Sequence, residues 1–383
     1  MRAQGHWRRV ARGAMRMRCV PEPRTPRRSA RSHWVERRRD CIVRALVKTE
    51  RGPGHVSLHS DWPRPAVQPG WVVVEVVGCG ICGTDLHIRE DTHKNWPPVV
   101  LGHEYTGRIV EVGSGVEGWG IGDRVVCEQH TGACLTCDPC RRGAIHLCSS
   151  KRSPGWGIDG AFADFVSLPA SLLHAVPDNV SYRAAVVTEP TAICITGLDR
   201  AGLRGGESCA VIGPGPVGII TALLARATGA GRVTLAGRPS SRPRLELART
   251  LGIETILIDE DAIPEGSFDV VVDATGRALD LAIGMVRTMG RIVEQGFADA
   301  PTVPFPLNAA MTKAVTLHMS MSSEYSAWDR ALTLMASGAY DPRPLVAAFD
   351  LEDWEQAFSA VEAREVVKAV LTPGPESNLD LYS

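Results

Sequence analysis

The chain has 383 residues, enough for about two domains of ~150 residues, each with a buried core. Its apolar and charged fractions, 44% and 22%, are ordinary for a globular protein. No apolar run approaches the roughly 20 residues that a membrane-spanning helix needs, which argues against an integral membrane protein.

Charge is distributed unevenly along the chain. Residues 1–42 contain 13 of the 42 basic side chains and three of the 43 acidic ones, so the remainder carries 29 basic and 40 acidic groups, a net charge of −11. This acidic balance predicts no nucleic-acid and no membrane partner. The Arg-rich head has several prolines and no hydrophobic period, which predicts disorder. It is either a basic arm or transit peptide or, as we favour, a mis-assigned extension before a first strand that begins at Val43.

Two patterns follow in chain order. From about residue 45 to 177, short β runs broken by glycine predict a small irregular β domain, with strands at 71–77, 107–112 and 124–127. From about 189 to 319, five strand-like runs alternate with three helical stretches, which predicts parallel βαβ units. The expected strands are 208–212, 232–236, 255–258, 268–272 and 291–294, and the expected helices are 217–228, 243–251 and 279–288. Helices at 326–337 and 351–364 and a strand at 366–371 complete the chain.

A glycine-rich turn joins the strand at 208–212 to the next helix. Gly213, Gly215 and Gly218 form a Gly-x-Gly-x-x-Gly pattern, completed by Pro216 and Val217 at the start of the helix. In a βαβ unit this pattern binds a dinucleotide: the first glycine makes the turn, the second admits the pyrophosphate and the third lets helix and strand pack closely. The helix N-terminus offers free N–H groups to the phosphates.

The end of the second strand, at 232–236, indicates which dinucleotide is bound. NAD sites carry a carboxylate there for the ribose hydroxyls, but this chain continues with Arg238, Ser240 and Arg242 and no acid. These residues suit a 2′-phosphate, which favours NADP over NAD. The alternative is that both arginines are solvated and that NAD is held by backbone groups.

Four of the eleven cysteines form one cluster, spaced as Cys134, Cys137, Cys140 and Cys148. Four thiolates so spaced predict a closed, tetrahedral structural zinc site, with an iron–sulfur cluster as the alternative. Ligand-like spacing rather than disulfide spacing also predicts a reducing compartment and a cytoplasmic location.

A second set of residues predicts a catalytic site. Cys82, in a Cys-Gly-Thr-Asp turn, is followed 21 residues later by His103 and Glu104. A thiolate, an imidazole and a carboxylate suit a catalytic zinc ion with an open position, which acts as a Lewis acid on an alcohol or carbonyl oxygen. Thr84 and His87 could carry the proton away, because histidine titrates near neutrality.

From these motifs the sequence resembles the zinc-dependent medium-chain dehydrogenase/reductase family, especially its sorbitol/L-iditol and threonine dehydrogenase branch, over about residues 44–371. The resemblance implies an α/β architecture. A GroES-like, β-rich catalytic domain would comprise residues 43–187 and 318–383, and a Rossmann domain with a doubly wound parallel sheet would comprise 188–317. It also implies one catalytic and one structural zinc ion, a nicotinamide cofactor between the domains, and a homodimer or homotetramer.

The resemblance also implies roles for single residues. Cys82 and His103 match zinc ligands, while Glu104 and Glu189 match carboxylates that bind zinc directly or through water. Thr84 and His87 match the family's proton relay, and Asp85 is expected to orient the turn. Sorbitol dehydrogenases carry a tyrosine where this chain has Ile88, and an Arg-Tyr pair that aligns with Ser322 and Ser323, so the substrate contacts of that enzyme are missing.

The sequence therefore predicts a zinc-dependent oxidoreductase acting on a secondary hydroxyl of a polyol, cyclitol, sugar or hydroxy-amino acid. A zinc-free quinone or enone reductase of the same fold is the alternative within enzymes. A zinc-binding protein that contacts nucleic acid is the alternative outside them, and the acidic composition opposes it.

Overall fold

The computed structural model describes residues 42–298 and 300–382, so the predictions for the Arg-rich head, except at Ile42, lie outside the described residues. The strands are β1 Ile42–Lys48, β2 Val56–Pro63, β3 Trp71–Gly80, β4 Val99–Val100, β5 Glu104–Val112, β6 Arg124–Cys127, β7 Phe165–Pro169, β8 Leu173–Ala175, β9 Ser208–Ile212, β10 Arg232–Gly237, β11 Glu254–Leu257, β12 Phe268–Asp273, β13 Val286–Glu294, β14 Thr316–Met319, β15 Val346–Asp350 and β16 Lys368–Thr372.

The α-helices are α1 Gly83–Arg89, α2 Asp138–Arg141, α3 Tyr182–Ala185, α4 Thr188–Ala201, α5 Pro216–Ala227, α6 Arg242–Thr250, α7 Leu279–Met285, α8 Leu307–Thr312, α9 Tyr325–Ala336 and α10 Trp354–Glu362. Short 3₁₀ turns lie at Ile145–Leu147, Ala170–Leu172, Pro239–Ser241, Arg343–Leu345, Leu351–Asp353 and Glu376–Asp380. Within these described residues, no helix is both long and apolar enough to cross a membrane.

The β-rich part of the chain forms two sheets. β2, β1 and β4 make one, and a larger sheet has the order β15-β16-β3-β5-β6-β8, with β7 also paired to β3. β3 is the centre of this sheet because its Val-rich sequence is buried along most of its length. β16 returns from the end of the chain to pair antiparallel with β3, where Val370 faces Gly80. This return places the end of the chain beside the segment that begins the predicted metal site.

The second half of the chain forms a parallel six-stranded sheet in the order β11-β10-β9-β12-β13-β14. This is the doubly wound order in which the first strand lies at the centre and ligands bind at the carboxyl ends. The predicted Rossmann sheet is therefore confirmed. The division of the chain into domains stays a prediction, and the last strand of the sheet ends at Met319, two residues beyond the expected boundary at 317.

One expected helix, at 279–288, is too long. α7 ends at Met285, and Val286 pairs with Phe268 in the parallel sheet. The helix ends there because the ammonium of Lys313 donates hydrogen bonds to the carbonyls of Ile283, Gly284 and Val286, at 2.6, 2.8 and 2.9 Å. A side chain from a later segment thus satisfies carbonyls that the next helical turn would have used.

Candidate active site and metal centres

Strand pairing brings three potential metal ligands together. β3 and β5 are antiparallel with Gly80 opposite Glu104, and Cys82 is the residue immediately before α1. The Cys82 sulfur, a ring nitrogen of His103 and a carboxylate oxygen of Glu104 all lie within 4.8 Å of one another. A mixed sulfur, nitrogen and oxygen set of this kind suits zinc with a position left for a substrate oxygen.

The Glu104 carboxylate is held by a lysine that the sequence analysis did not select. Lys368, the first residue of β16, places its ammonium 2.5 Å from Glu104 Oε2 and 3.1 Å from the carbonyl oxygen of Ile81. Both side chains are almost fully buried. Burial alone would lower the pKa of Lys368, but the charges of Glu104 and Cys82 outweigh it and raise that pKa. The sequence did contain a signal for Lys368, because it is a charged residue within a predicted strand, 366–371, that is otherwise apolar.

His103 faces the carboxylate of Asp85. The two side chains are buried, and His103 Nδ1 lies 3.5 Å from Asp85 Oδ1. The other oxygen of Asp85 accepts a hydrogen bond from the backbone N–H of Cys82 at 2.9 Å. Burial lowers the pKa of His103, but the charges of Asp85 and Cys82 reverse this and raise it well above the ordinary value. The surroundings thus favour positive charge at the imidazole, and a bound metal cation supplies that charge, so the donor set fits a metal.

Glu189 lies in the first turn of α4 with a side chain that is 5% exposed. Burial, followed by the charge of Glu104, raises the pKa of Glu189 to about 8, and His103 and Lys368 act in the opposite direction. Glu189 therefore belongs to the same electrostatic environment. Its carboxylate is outside the group of three ligand atoms that converge within 4.8 Å.

The two predicted relay residues are close to the ligands but not hydrogen bonded to each other. Thr84 Oγ1 lies 3.7 Å from the Cys82 sulfur. His87 is exposed, and its Nδ1 lies 3.2 Å from Thr92 Oγ1. A proton that passes from Thr84 to His87 therefore needs an intervening group.

Trp156 forms a wall of the site that the sequence analysis did not predict. Its ring lies edge-on to His103, with centroids 5.0 Å apart, and edge-on to His93 at 5.6 Å. Its carbonyl oxygen accepts a hydrogen bond from the backbone N–H of Trp96 at 3.0 Å. No motif marks this tryptophan, because a loop rather than a helix or strand places it there.

The four-cysteine lobe is assembled as predicted by its spacing. The sulfurs of Cys134, Cys137, Cys140 and Cys148 lie within 4.8 Å of one another. The backbone N–H groups of Cys134 and Cys137 point at the sulfurs of Cys148 and Cys134, at 3.3 and 3.4 Å. A side-chain hydrogen bond from Thr136 is the largest of the effects that lower the pKa of Cys134 to about 5. A backbone hydrogen bond from Cys134 also lowers the pKa of Cys148, whereas burial raises the pKa of Cys140 to about 12. The surroundings of Cys134 and Cys148 thus favour the thiolate, the form that binds metal.

The glycine-rich turn has the geometry expected of a dinucleotide site. Gly213 has a φ of +102°, and a Cβ there would lie 2.4 Å from Thr275 Cγ2. At Gly218 a Cβ would lie 1.8 Å from the carbonyl oxygen of Gly213, so only glycine lets α5 approach. At Gly215 a Cβ would meet no protein atom within 4 Å, which leaves open space beside the N-terminus of α5. Pro216 and Val217 begin that helix.

The predicted phosphate-binding arginines differ from each other. Arg238 follows β10 with an exposed side chain, whereas Arg242 donates to both carboxylate oxygens of Glu260, each at 2.8 Å. Ser240 Oγ lies 3.5 Å from a guanidinium nitrogen of Arg364, which the sequence analysis did not select. The guanidinium of Arg242 is thus paired with a carboxylate. Near the end of β10, Arg364 lies at Ser240, two residues after Arg238.

The positions that depart from sorbitol dehydrogenases have structural partners. Ile88 is fully buried. Ser322 and Ser323 lie in the loop after β14, where Ser322 Oγ is 3.3 Å from His130 Nε2 and Ser323 Oγ accepts a hydrogen bond from Trp328 Nε1 at 3.0 Å.

Comparison with known proteins agrees with this geometry. Residues 68–178 match the alcohol dehydrogenase GroES-like domain, and residues 216–337 match the zinc-binding dehydrogenase family model. Sorbitol dehydrogenase of Halalkalibacterium halodurans is 31% identical over 343 residues, 86% of this chain and 99% of the relative. L-threonine 3-dehydrogenase of Streptomyces avermitilis is 33% identical over 353 residues, again 86% of this chain and 99% of the relative.

Among solved structures, a zinc-binding dehydrogenase from Sinorhizobium meliloti bound to NADP is similar, with a TM-score of 0.80 and 27% identity over 87% of this chain and 99% of that one. The chain therefore belongs to the zinc-dependent medium-chain dehydrogenase/reductase family, in the sorbitol and threonine dehydrogenase-like branch, and is an oxidoreductase that transfers hydride between an alcohol and NAD(P).

Proposed function

We propose that the catalytic metal of this dehydrogenase is zinc held by Cys82, His103 and Glu104, beside a substrate that offers a secondary hydroxyl. The main support for this proposal is that the three ligand atoms lie within 4.8 Å of one another. Glu189, buried nearby, would bind the metal directly or through water. The substrate classes that we propose are polyols, cyclitols, sugars and hydroxy-amino acids.

When bound, zinc supplies Lewis acidity that lowers the pKa of the alcohol, and the nicotinamide accepts the hydride. The residues of the chain prepare this chemistry. Asp85 lies beside the ring of His103 and would orient it, and Lys368 holds one oxygen of Glu104. The Trp156 ring lies edge-on to His103 and would cover that side of the site. Thr84 would accept the hydroxyl proton as it passes its own proton on, and an intervening group would carry that proton to His87, which is exposed and would release it to solvent.

The test of this assignment is the Cys82→Ser variant, measured as turnover and as zinc per chain. We expect about two zinc ions per chain in the parent, one catalytic and one in the Cys134–Cys148 lobe. The variant should lose turnover by a factor of roughly a hundred or more and retain the lobe zinc. His103→Ala should behave in the same way.

Cys209→Ala is the matched control, because this thiol is buried in β9, outside both ligand groups. It should retain turnover and both metal ions. Full activity of Cys82→Ser would contradict the assignment. A parent protein that reduces quinones or enones and contains no zinc would instead favour the zinc-free reductase.

For the cofactor we propose a preference for NADP. Support comes from the end of β10, where the exposed Arg238 lies where NAD sites carry an acid, and from Arg364 at Ser240. The Sinorhizobium meliloti relative was solved with NADP. Arg238→Gln should lower the ratio of kcat/KM for NADP to that for NAD by roughly tenfold or more, since a charged hydrogen bond to phosphate is lost.

Arg242→Gln is the control for this cofactor prediction, because its guanidinium is paired with Glu260. Its ratio should change little. A preference for NAD in the parent, unchanged in Arg238→Gln, would contradict the proposal. The homodimeric or homotetrameric assembly and the cytoplasmic location also stay predictions, and light scattering after size-exclusion chromatography measures the first.

A further inference from the structure

Two cationic side chains share one tryptophan ring close to the metal ligands. The guanidinium carbon of Arg152 lies 3.7 Å from the centroid of the Trp96 ring, and the ammonium of Lys94 lies 4.7 Å from it. Both side chains are exposed. Both cations thus contact the same ring, and the face of tryptophan stabilises each of them.

Neither cation has an acidic partner among residues 42–298 and 300–382. Their cationic neighbours are satisfied: Arg51 pairs with Asp91, and the Lys151 ammonium donates to the carbonyl oxygen of His146. Two like charges placed together repel each other unless an anion lies between or beside them. Residues 43–383 carry a net charge of −11, so two cations on one ring without an acidic partner require an explanation.

Two tryptophans connect this pair of cations to the proposed reaction site. Trp96 is hydrogen bonded through its backbone to Trp156, and the Trp156 ring contacts His103, one of the proposed zinc ligands. The residue on which both cations lie is therefore bonded to the residue whose ring contacts a proposed ligand. A substrate whose hydroxyl lies at the ligands and whose chain passes Trp156 would place its far end near Arg152 and Lys94.

We propose that Arg152 and Lys94 bind a terminal phosphate monoester of the substrate, so that the physiological substrate is a polyol phosphate or the matching ketose phosphate. This inference rests on the proposed dehydrogenase function. A phosphate carries nearly two negative charges and three acceptor oxygens, which match a guanidinium fork and an ammonium. A hydroxy-amino acid suits the pair less well, because its carboxylate is bonded next to the carbon that bears the amine and cannot extend away from the reacting hydroxyl.

The experiment compares ribitol with ribitol 5-phosphate, and sorbitol with sorbitol 6-phosphate, using the full zinc-loaded chain with NAD and with NADP. The readout is the ratio of kcat/KM for the phosphate to that for the free polyol. We expect a ratio of roughly ten or more, which falls as ionic strength rises. Arg152→Gln and Lys94→Gln should each lower the ratio several-fold, and the double variant should bring it close to one.

Arg249→Gln is the matched control, because it removes an exposed arginine of α6 in the Rossmann half of the chain. It should leave the ratio unchanged. Turnover in which the free polyols are used as well as their phosphates, or a ratio that the double variant does not alter, would overturn the substrate inference and leave the dehydrogenase function standing. Absence of turnover with every alcohol and carbonyl compound would overturn both.

Discussion

At the scale of single residues, the site depends on charges that are buried in pairs. Lys368 and Glu104 are 2% and 1% exposed and form an ion pair beside the ligand atoms. Removing one partner of a buried pair leaves the other charge without compensation, which costs far more than the pair itself contributes. Lys368 is thus a positioning residue for Glu104 rather than a reacting group.

Lys368→Met tests this role. We expect the free energy of unfolding to fall by about 3 kcal/mol, because the Glu104 carboxylate loses its partner in a buried position. The double variant Glu104→Met with Lys368→Met should regain part of that stability but not turnover, since the carboxylate is also needed at the metal. Urea denaturation and steady-state kinetics measure the two effects. Equal stability of the parent and Lys368→Met would show that the pair is not formed.

At the scale of elements, two glycines in the turn between β9 and α5 have different roles, one in packing the fold and one in binding the cofactor. A methyl group at Gly218 would collide with the Gly213 carbonyl oxygen, whereas one at Gly215 would project into open space. Gly215 also has a φ of −79°, which any residue can adopt. The structure therefore assigns a packing role to Gly218 and an access role to Gly215.

Two alanine variants distinguish these roles. Gly215→Ala should leave the melting temperature of the cofactor-free protein within about a degree or two of the parent, yet weaken NAD(P)H binding by roughly tenfold or more, because the methyl group occupies the space of the pyrophosphate. Gly218→Ala should lower both the melting temperature and the affinity. Thermal unfolding and fluorescence titration with NADPH provide the measurements. Unchanged affinity in Gly215→Ala would place the dinucleotide elsewhere.

At the scale of the whole molecule, two neighbouring carboxyl groups at the edge of the parallel sheet connect stability to pH. Glu294 ends β13 and pairs in register with Asp273 at the end of β12. Burial, followed by the charge of Asp273, raises the pKa of Glu294 from 4.5 to about 8. Between these values the folded state holds a proton that the unfolded state releases, so this group makes stability fall as pH rises from about 4.5 to about 8.

Glu294→Gln removes that dependence, because an amide does not ionise. Relative to the parent, the variant should gain stability progressively from about pH 4.5 to about pH 8, with little difference at the acid end. Glu265→Gln, an exposed carboxylate in the loop before β12, is the control and should show no such trend. Urea denaturation at several pH values compares the three proteins. A constant difference between Glu294→Gln and the parent across the range would refute the raised pKa.

The sequence alone determined what is local. The glycine turn and the four-cysteine lobe each consist of residues near one another in the chain, and their spacing indicates their chemistry. The Cys82 and His103-Glu104 motifs are each local too, although strand pairing brings the two together. The alternation of strands and helices likewise determined the parallel sheet. The end of α7 was missed because it depends on Lys313, whose contact with the helix arises from tertiary packing.

Only the tertiary structure decided which distant side chains complete the site. Lys368 reaches Glu104 across 264 residues of sequence because β16 returns to β3. Trp156 and the cations on Trp96 lie in loops, whose courses no periodic pattern encodes. Motifs specify which groups can bind a metal or a phosphate. Long-range strand pairing and loop packing decide the charges around those groups, since electrostatic effects depend on distance in space and not along the chain.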